Sequence, residues 1–465
     1  MRIHYVNRVN TKRISFIMPG FRSLFRIPSG SAMMMFLTVS ALLITHLPRT
    51  SVSQPDPGQI TRFAVAIDNP GDITSLLSLV DTERLVLMGE ASHGTSEFYQ
   101  LRALLSMELV AESDFRFIAV EGDWPAFARI NAFVKQKPGA PETLDEAMDS
   151  LTRWPLWMWR NHEFRELVEW LYQHNATLAP EQRAGLYGID VYDHERTMQD
   201  VADWVASVDR SLGRTVSRAY SCVSRYNSIG DYIRMVAQTG EHCGPEMERA
   251  LAAVRSLEDH PDVTEWDFFR AEHGALAAQN AELHYRANLE QSGASWNYRA
   301  SHFYLTAERL LERYGENSRG IVWAHNTHIG DARATDMAQF GILNIGQLSR
   351  MNLGNDAVFA IGFGTFSGEV LAAASWEGTM QVMPVPPASA GSLEYLLMQV
   401  GPKDFWLDLN DREVASLFTR RLPHRAIGVT YNPANEQNNF VPTNLAERYN
   451  AFVFLGETSV LDPLD

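Results

Sequence analysis

The sequence predicts a mixed α/β fold: a mostly parallel central sheet flanked by helices, with an inserted all-helical lobe forming one wall of a deep cleft. Short, nearly continuous apolar runs alternate with longer stretches of helical spacing, which is typical of parallel strands buried on both faces. Between about residues 193 and 313 strand-like runs are absent, and Ala, Leu, Glu and Arg recur at helical spacing. A hydrophobic content of 45% over 465 residues is sufficient for a large core.

The predicted strands occur in both halves of the chain, and the helical patterns between them include residues 247–257 and 265–289. These patterns divide the chain into an α/β catalytic core of residues 54–192 and 314–465 and an inserted helical lobe of residues 193–313. The strands are predicted at residues 84–88, 115–120, 185–189, 320–323, 357–361, 426–430 and 451–455.

Residues 1–53 have the composition of an export signal. The first part carries several Arg and Lys residues and no acid, and residues 32–47 form an apolar segment that is short for a membrane span of about 20 residues. Ser51 and Ser53 are small residues suited to a cleavage site. We therefore predict a cleaved signal peptide or, alternatively, an uncleaved membrane anchor, on an exported protein of the periplasm or the medium.

The net charge limits the kinds of molecule that the protein is expected to bind, and the two cysteines raise the question of a disulfide bond. A net charge of −16 argues against nonspecific binding of nucleic acid, and contact with a membrane is expected only through the N-terminal segment. Cys222 and Cys243 both fall in the helical lobe. They would pair in an oxidising compartment, but two unpaired thiols fit the sequence equally well. The sequence does not indicate an oligomeric state.

Potentially reactive side chains follow four of the predicted strands. Glu90 and His93 follow the first of these strands, and Glu121 follows the second, where the neighbouring Asp123 is expected to cap a helix. Asp190 and His325 follow the other two. Because ligands bind at the carboxyl ends of parallel strands, these side chains are expected to converge there. A carboxylate at such a junction has little solvent and needs a partner.

His93 is the predicted general base. It lies in a loop bounded by glycines, close to Glu90, whose carboxylate would orient the imidazole and stabilise the imidazolium. Arg102 borders the apolar face of the helix that follows this loop. It would either pair with a carboxylate or a developing oxyanion, or be an ordinary solvated arginine.

Other reaction chemistries have less support. The strand ends carry no G-x-S-x-G elbow, and the chain has neither a P-loop nor a convincing dinucleotide fingerprint, so attack by activated water without a cofactor remains. His325 and His328 have nearly metal-ligand spacing, which keeps a metal-dependent hydrolase open as an alternative. A metal-independent reaction is favoured because no helical H-E-x-x-H motif accompanies them. If a metal is bound, its ligands are expected to be Glu90, His93, Glu121 and His325.

Several of these residues lie in longer recognisable segments, which are 89–94 (GEASHG), Glu97, Phe98, Arg102, 120–123 (VEGD), 323–328 (WAHNTH), Gly346, Leu348 and 360–363 (AIGF). Together they resemble the erythromycin esterase family, with the order preserved over roughly residues 85–368. The resemblance implies hydrolysis of an ester, in named members the macrolactone ring of macrolide antibiotics, and hence antibiotic resistance. It also implies a histidine that activates water without a required metal. The expected partner is therefore a small-molecule ester.

The resemblance implies roles for individual residues. His93 would be the base, Glu90 and Glu121 its carboxylate partners, and His325 and Arg102 the groups that polarise the carbonyl. Residues 300–306 depart from the family pattern, which affects substrate choice more than the hydrolytic chemistry. A noncatalytic cell-envelope binding or biosynthesis protein remains the alternative of a different class. The expected substrate-binding residues are His328, Asp190, Trp124 and Arg299.

Overall fold

The computed structural model describes residues 55–290 and 293–464, and the predicted signal segment, residues 1–53, lies outside them. The strands are β1 (Val65–Ala66), β2 (Leu85–Met88), β3 (Phe115–Asp123), β4 (Gly185–Asp190), β5 (Arg319–Trp323), β6 (Val358–Ala373), β7 (Met380–Val385), β8 (Phe405–Asp408), β9 (Leu422–Arg425), β10 (Phe440–Thr443) and β11 (Ala451–Thr458).

One α-helix precedes β1 in the chain, and the others lie between consecutive strands. They are α1 (Pro57–Thr61), α2 (Ser96–Glu112), α3 (Trp124–Val134), α4 (Leu144–Met148), α5 (His162–Ala176), α6 (His194–Val208), α7 (Arg210–Ser224), α8 (Ile229–Thr239), α9 (Gly244–Arg255), α10 (Glu265–Arg286), α11 (Ala294–Tyr314), α12 (Asn326–Ile329), α13 (Ile345–Leu353), α14 (Leu393–Leu397), α15 (Arg412–Leu417) and α16 (Leu445–Arg448).

Nine of these strands form one sheet in the order β1-β8-β11-β6-β2-β5-β3-β4, with β7 paired to β6. The strands from β11 to β4 in this order are parallel to one another. The outer strands β1 and β8, together with β7, are antiparallel to their neighbours. The predicted mixed α/β fold with a mostly parallel sheet flanked by helices is confirmed.

The sheet is covered on both faces, which explains the continuous apolar runs. Along β2, Val86 and Met88 face a core shared with α2 and α5, whereas Leu85 and Leu87 face a second core shared with α11 and α14. Successive strand residues point to opposite faces, so a strand buried on both faces needs apolar residues at every position.

The strand predictions were wrong in two places. Residues 426–430 form isolated bridges but no strand: Ile427 donates its N–H to Ala91 in the loop after β2, and Val429 accepts from Ala373 at the end of β6. The neighbouring residues Leu422–Arg425 instead pair with β10. The strand predicted at 357–361 continues to Ala373, because the end of β6 pairs with the antiparallel strand β7.

Between β4 and β5 the described residues form helices α6 to α11. Helices α6 to α10 enclose an apolar core of their own, which includes Val205, Tyr232 and Leu251. In contrast, α11 packs Phe303 and Leu310 against the sheet. This long helix therefore joins the helical segment to the strand ends, and contacts unite both parts within the compact unit Gln54–Asp465.

Cys222 on α7 and Cys243 in front of α9 form a disulfide bond, which settles the alternative left open by the sequence. The bond ties two helices of the lobe together across α8. Among residues 55–290 and 293–464, no helix combines the length and the apolar character needed to cross a bilayer.

Candidate active site

The loop after β2 places a carboxylate between an imidazole and a guanidinium. Glu90 is fully buried, and its Oε1 accepts a hydrogen bond from Nδ1 of His93 at 2.8 Å. Its Oε2 accepts a hydrogen bond from Nη2 of Arg102 at 2.6 Å. Glu90 therefore fixes the orientation of the His93 ring and is itself fixed by Arg102.

Arg102 pairs with Glu90 in the interior of the protein. Its guanidinium is completely buried and lies over the rings of Tyr99 and Trp323, 4.5 and 4.6 Å from their centroids. The predicted pairing of Arg102 with a carboxylate is therefore confirmed, whereas the structure shows neither an arginine open to an oxyanion nor a solvated arginine. These two alternatives fail because this turn of α2 packs against the end of the sheet, where Glu90 is the nearest acid.

Glu121, at the end of β3, connects three elements. Its Oε2 accepts the backbone N–H of His325 at 2.9 Å, and its Oε1 accepts Nη2 of Arg299 at 2.7 Å. Nε2 of His328 lies 3.3 Å from the same Oε1. Burial would raise the pKa of Glu121, but the charges of His328 and Arg299 hold it well below its ordinary value.

Asp190, at the end of β4, pairs with Arg299 of α11. The two carboxylate oxygens accept from Nε at 2.9 Å and from Nη2 at 2.5 Å, a bidentate arrangement. Burial opposes ionisation of Asp190, but the Arg299 charge and its hydrogen bonds lower the pKa of this carboxyl. Arg299 therefore links α11 to two strand ends, as a bridge between Glu121 and Asp190.

His325 begins α12 directly after β5, and its ring centroid lies 4.9 Å from that of His93. Its Nδ1 accepts the backbone N–H of Thr327 at 3.2 Å. Burial, together with the neighbouring His93, lowers the pKa of His325 well below its ordinary value. Within the described residues its buried Nε2 makes no hydrogen bond of good geometry.

The pKa of His93 shifts in the opposite direction. Burial lowers its pKa, but the hydrogen bond to Glu90 and the charges of Glu121 and Glu90 outweigh burial, so the pKa of His93 is raised above its ordinary value. Both imidazoles are nearly enclosed, since His93 is 7% and His325 4% exposed. Their interaction therefore takes place in a site with little bulk water.

The hydrogen bonds assign complementary roles to these two rings. A carboxylate only accepts, so Nδ1 of His93 carries the proton and the neutral ring keeps Nε2 as an acceptor. Nδ1 of His325 lies 2.8 Å from the hydroxyl of Thr327, which can donate to it, and 3.2 Å from the backbone N–H of Thr327, which can only donate. We therefore assign Nδ1 of His325 as the acceptor and place its proton on Nε2. One ring can therefore take a proton, while the other offers one.

His328 lies one turn further, on α12. Its ring stacks on Trp296 with a centroid distance of 4.4 Å, and Nη1 of Arg299 lies 3.1 Å from its Nε2. Burial lowers the pKa of His328, although Glu121 opposes this effect. His328 thus lies between Glu121 and an aromatic wall, adjacent to the His93–His325 pair.

Trp124, predicted to bind substrate, is placed in the core. Its ring lies 4.2 Å from the ring of His273 and 6.1 Å from that of Tyr187. The first turn of α3 bends this side chain back over the sheet, towards α10. The structure therefore does not bring Trp124 together with the acid–imidazole cluster.

Sequence reasoning missed Trp376, an aromatic residue near the cluster. Trp376, in the turn between β6 and β7, lies 4.7 Å from the ring of Trp154 and 6.0 Å from that of Tyr192. Tyr192 in turn faces the guanidinium of Arg299 at 5.0 Å. These rings come from three distant segments, and a residue in a turn carries no periodic pattern that would have identified Trp376.

Asp123 also differs from its expected role. Its side chain does not cap α3, but accepts Nε of Arg153 at 2.5 Å and the backbone N–H of Asp193 at 3.3 Å. Burial raises the pKa of Asp123, and the nearby charge of Asp190 adds to this effect against that of Arg153. A second acid–guanidinium pair therefore lies beside the first.

The residues named as possible metal ligands already have partners within the protein. Glu90 contacts His93 and Arg102, and Glu121 contacts Arg299 and the backbone of His325. Within the described parts of the chain, no group of three or more His, Cys, Asp or Glu side chains is arranged to hold a metal ion.

A parallel sheet with buried acids and imidazoles at its carboxyl edge is the arrangement of an α/β hydrolytic enzyme. Comparison with known families supports this class: residues 110–458 match the model of the erythromycin esterase family. The chain belongs to the erythromycin esterase family and is therefore a hydrolase. The match begins after the loop that carries Glu90 and His93.

Solved structures share the fold. A succinoglycan biosynthesis protein is 20% identical with a TM-score of 0.70, over 87% of this chain and 97% of its own. A Bacillus cereus protein is 17% identical with a TM-score of 0.73, over 88% and 100%. A mutant of the erythromycin esterase EreC in its open conformation is 16% identical with a TM-score of 0.59, over 84% and 94%. At these identities the likeness establishes the fold only.

Proposed function

We propose that the protein hydrolyses a carboxylic ester by general-base attack of water, with His93 as the base and His325 as the donor to the oxyanion. The observation that carries this proposal is the different hydrogen bonding of Nδ1 in two imidazoles whose centroids lie 4.9 Å apart, from which we assign complementary protonation. The raised pKa of His93 and the lowered pKa of His325 support the same division of roles.

In the first step, Nε2 of His93 removes a proton from water as the water oxygen attacks the ester carbonyl. Glu90 and Glu121 stabilise the resulting imidazolium, and the Nε2–H of His325 donates to the carbonyl oxygen as it becomes an oxyanion. In the second step, the carbon–oxygen bond to the leaving group breaks. His93 returns its proton to the departing alkoxide, so the products are an acid and an alcohol.

We propose a macrolide-type lactone as the substrate, whose hydrolysis would confer antibiotic resistance. Family membership supports this assignment, as does the aromatic group of Trp154, Tyr192 and Trp376 beside the cluster, because apolar walls suit a bulky substrate. Asp190, Arg299 and His328 are the polar residues we expect nearest to it.

Mass spectrometry of a macrolide panel incubated with the purified protein tests the substrate. Gain of one water by any member supports the proposal. If no macrolide changes but simple esters are cleaved, the reaction stands and the macrolide assignment fails. If no ester is cleaved, the general-base proposal fails as well.

A second candidate is the hydrolysis of an ester substituent on a saccharide. It is favoured by the likeness to a protein named for succinoglycan biosynthesis, which spans 97% of that chain. An acylated oligosaccharide belongs in the same panel, and release of its acid would favour this candidate. A protein that bound the saccharide without turnover would instead be a noncatalytic relative.

We further propose that the reaction needs no metal and that the protein is exported. Unchanged activity after chelation and removal of the chelator would support metal independence, whereas restoration of lost activity by an added divalent cation would contradict it. The disulfide between Cys222 and Cys243 fits an oxidising compartment. Cell fractionation and N-terminal sequencing test export, and a mature protein beginning near residue 54 is expected.

A further inference from the structure

A second carboxylate–imidazole pair lies next to the candidate active site. Glu394 on α14 and His424 on β9 are both completely buried. Oε1 of Glu394 accepts Nδ1 of His424 at 2.6 Å and the backbone N–H of Arg425 at 2.8 Å. The general-base reaction described above does not use this pair.

The pair leads to Asn326, the residue that follows His325. Because Nδ1 of His424 donates to Glu394, its Nε2 is an acceptor and receives Nδ2 of Asn326 at 3.3 Å. The same amide also pairs with the backbone of Phe363 on β6, donating to its carbonyl at 2.6 Å and accepting its N–H at 3.2 Å. The Asn326 side chain is therefore held from two sides.

Asn326 in turn contacts the loop of the predicted base. Its backbone N–H donates to the carbonyl of Glu90 at 2.9 Å. Gly89 permits this approach, because a Cβ at that position would lie 2.0 Å from Oδ1 of Asn326. Displacement of Asn326 would thus move both His325, its neighbour in the chain, and Glu90, which orients His93.

Packing alone does not account for this pair. Buried ionisable groups stabilise a core less than apolar residues of the same size would, and Oε2 of Glu394 has no hydrogen-bond partner among the described residues. An unsatisfied buried carboxylate oxygen is costly, so this pair calls for an explanation other than packing.

We propose that Glu394 and His424 are positioning residues for the hydrolytic reaction, which hold Asn326 so that His325 and Glu90 keep their geometry. The inference rests on the proposed roles of His93 and His325. The pair does not touch the substrate, and its effect is transmitted through Asn326.

Two substitutions at the same position separate this role from general support of the fold. In His424→Gln the amide lies near the position of Nε2 and can still accept from Asn326. In His424→Asn the shorter amide can contact Glu394 but does not reach Asn326. Both variants lose the same buried ring, so their free energies of unfolding are expected to fall similarly.

With an ester cleaved by the wild type, we expect His424→Asn to lower kcat by about 10- to 100-fold with little change in KM. His424→Gln is expected to recover most of that loss. His273→Asn serves as a control, since His273 is a buried ring packed against Trp124 and away from Asn326. It should lower stability and leave kcat unchanged.

A readout independent of turnover is the pKa of His93, measured by NMR titration of ¹⁵N-labelled histidine in the full chain. We expect a lower pKa of His93 in His424→Asn and a wild-type value in His424→Gln. Wild-type kcat and pKa in folded His424→Asn would overturn the positioning role, as would equal losses in both variants. If His93→Gln keeps wild-type turnover, the proposed function itself fails, and the NMR result still decides the link through Asn326.

Discussion

At the scale of single residues, hydrogen-bond direction distinguishes two imidazoles that are otherwise alike. Glu90 accepts from His93, whereas Thr327 donates to His325, and this difference leaves Nε2 of one ring as an acceptor and Nε2 of the other as a donor. The neighbouring charges add to the contrast: Glu90 and Glu121 raise the pKa of His93 against the effect of burial, whereas burial and His93 lower the pKa of His325.

Replacement of His93 by Gln removes the proposed base while keeping a polar side chain. We expect kcat to fall by about 10²- to 10⁴-fold, the usual contribution of a positioned general base. The measurement is steady-state hydrolysis of an ester that the wild type cleaves, with the folded state checked by circular dichroism. Wild-type turnover in this variant would remove His93 from the reaction.

The pH dependence follows from the pKa of His93. A general base must be neutral, and its raised pKa means that kcat/KM falls as pH decreases through a value above the ordinary 6.5. Glu90→Gln removes the hydrogen-bonded charge that raises this pKa, so the acid limb of the profile should move to lower pH. Glu108→Gln, on the exposed face of α2, is the control and should keep the wild-type profile.

Sequence reasoning predicted which side chains meet at the strand ends and the contact between Glu90 and His93, but not most of their other contacts. Glu90, His93, Glu121 and His325 could be located because strand ends in a parallel sheet meet at one edge. The partners of Arg102 and the core position of Trp124 depend on side-chain direction, which spacing along a helix does not determine. No local sequence pattern identified His424, because its contacts are with distant segments of the chain.

At the scale of elements, Arg299 determines how α11 meets the sheet. One guanidinium on this helix pairs with acids at the ends of β3 and β4, Glu121 and Asp190. All three side chains are nearly buried, so removal of the guanidinium leaves Asp190 without its cationic partner and leaves Glu121 with His328 and the backbone N–H of His325.

Arg299→Met should therefore lower the free energy of unfolding by about 3–5 kcal/mol, measured by urea denaturation. Arg249→Met is the matched control, because Arg249 pairs with Glu246 at the surface of the lobe, where loss of an ion pair costs about 0–1 kcal/mol. Equal destabilisation by the two substitutions would contradict the proposed importance of the buried bridge.

The same pair of acids predicts how stability depends on pH. Their pKa values are lowered in the folded state, so their stabilisation is present above the unfolded values of 4.5 and 3.8 and is lost as pH falls below them. The wild type should lose thermal stability steeply on acidification through this range. Arg299→Met should lose less, since the stabilising charge is already absent.

Element prediction succeeded where a strand is buried on both faces and failed at the edges. The central strands β2 to β5 have continuous apolar runs, and their positions were predicted within a few residues. The second half of β6 is glycine-containing and partly exposed, and β1 and β8 are short antiparallel strands. Their pairing depends on tertiary contacts that local pattern does not specify.

At the scale of the whole molecule, the helical segment has a core separate from the cores of the sheet. The disulfide between Cys222 and Cys243 lies in that segment, and the pocket beside it has a volume of about 730 Å³ and is lined by residues of α7 to α9. The cluster at the strand ends contains neither cysteine. Stability of the segment and turnover at the sheet should therefore respond differently to reduction.

Reduction of the disulfide should lower the stability of the helical segment and leave the rate of hydrolysis unchanged. A loop closed over 21 residues contributes about 3 kcal/mol by restricting the unfolded chain. Dithiothreitol, or the double substitution Cys222→Ser and Cys243→Ser, should lower Tm and leave kcat at 25 °C unchanged. A large loss of kcat in protein that remains folded would show that the segment and the site are coupled.

The disulfide has one more consequence, for experiments on the intact protein. The chain contains 2 cysteines and both are consumed in this bond, so the sequence carries no free thiol. Maleimide and iodoacetamide should leave the native enzyme unmodified. A cysteine introduced at Phe340, which is 62% exposed, would thus be the sole reactive position for a fluorescent or spin label, with no background to subtract.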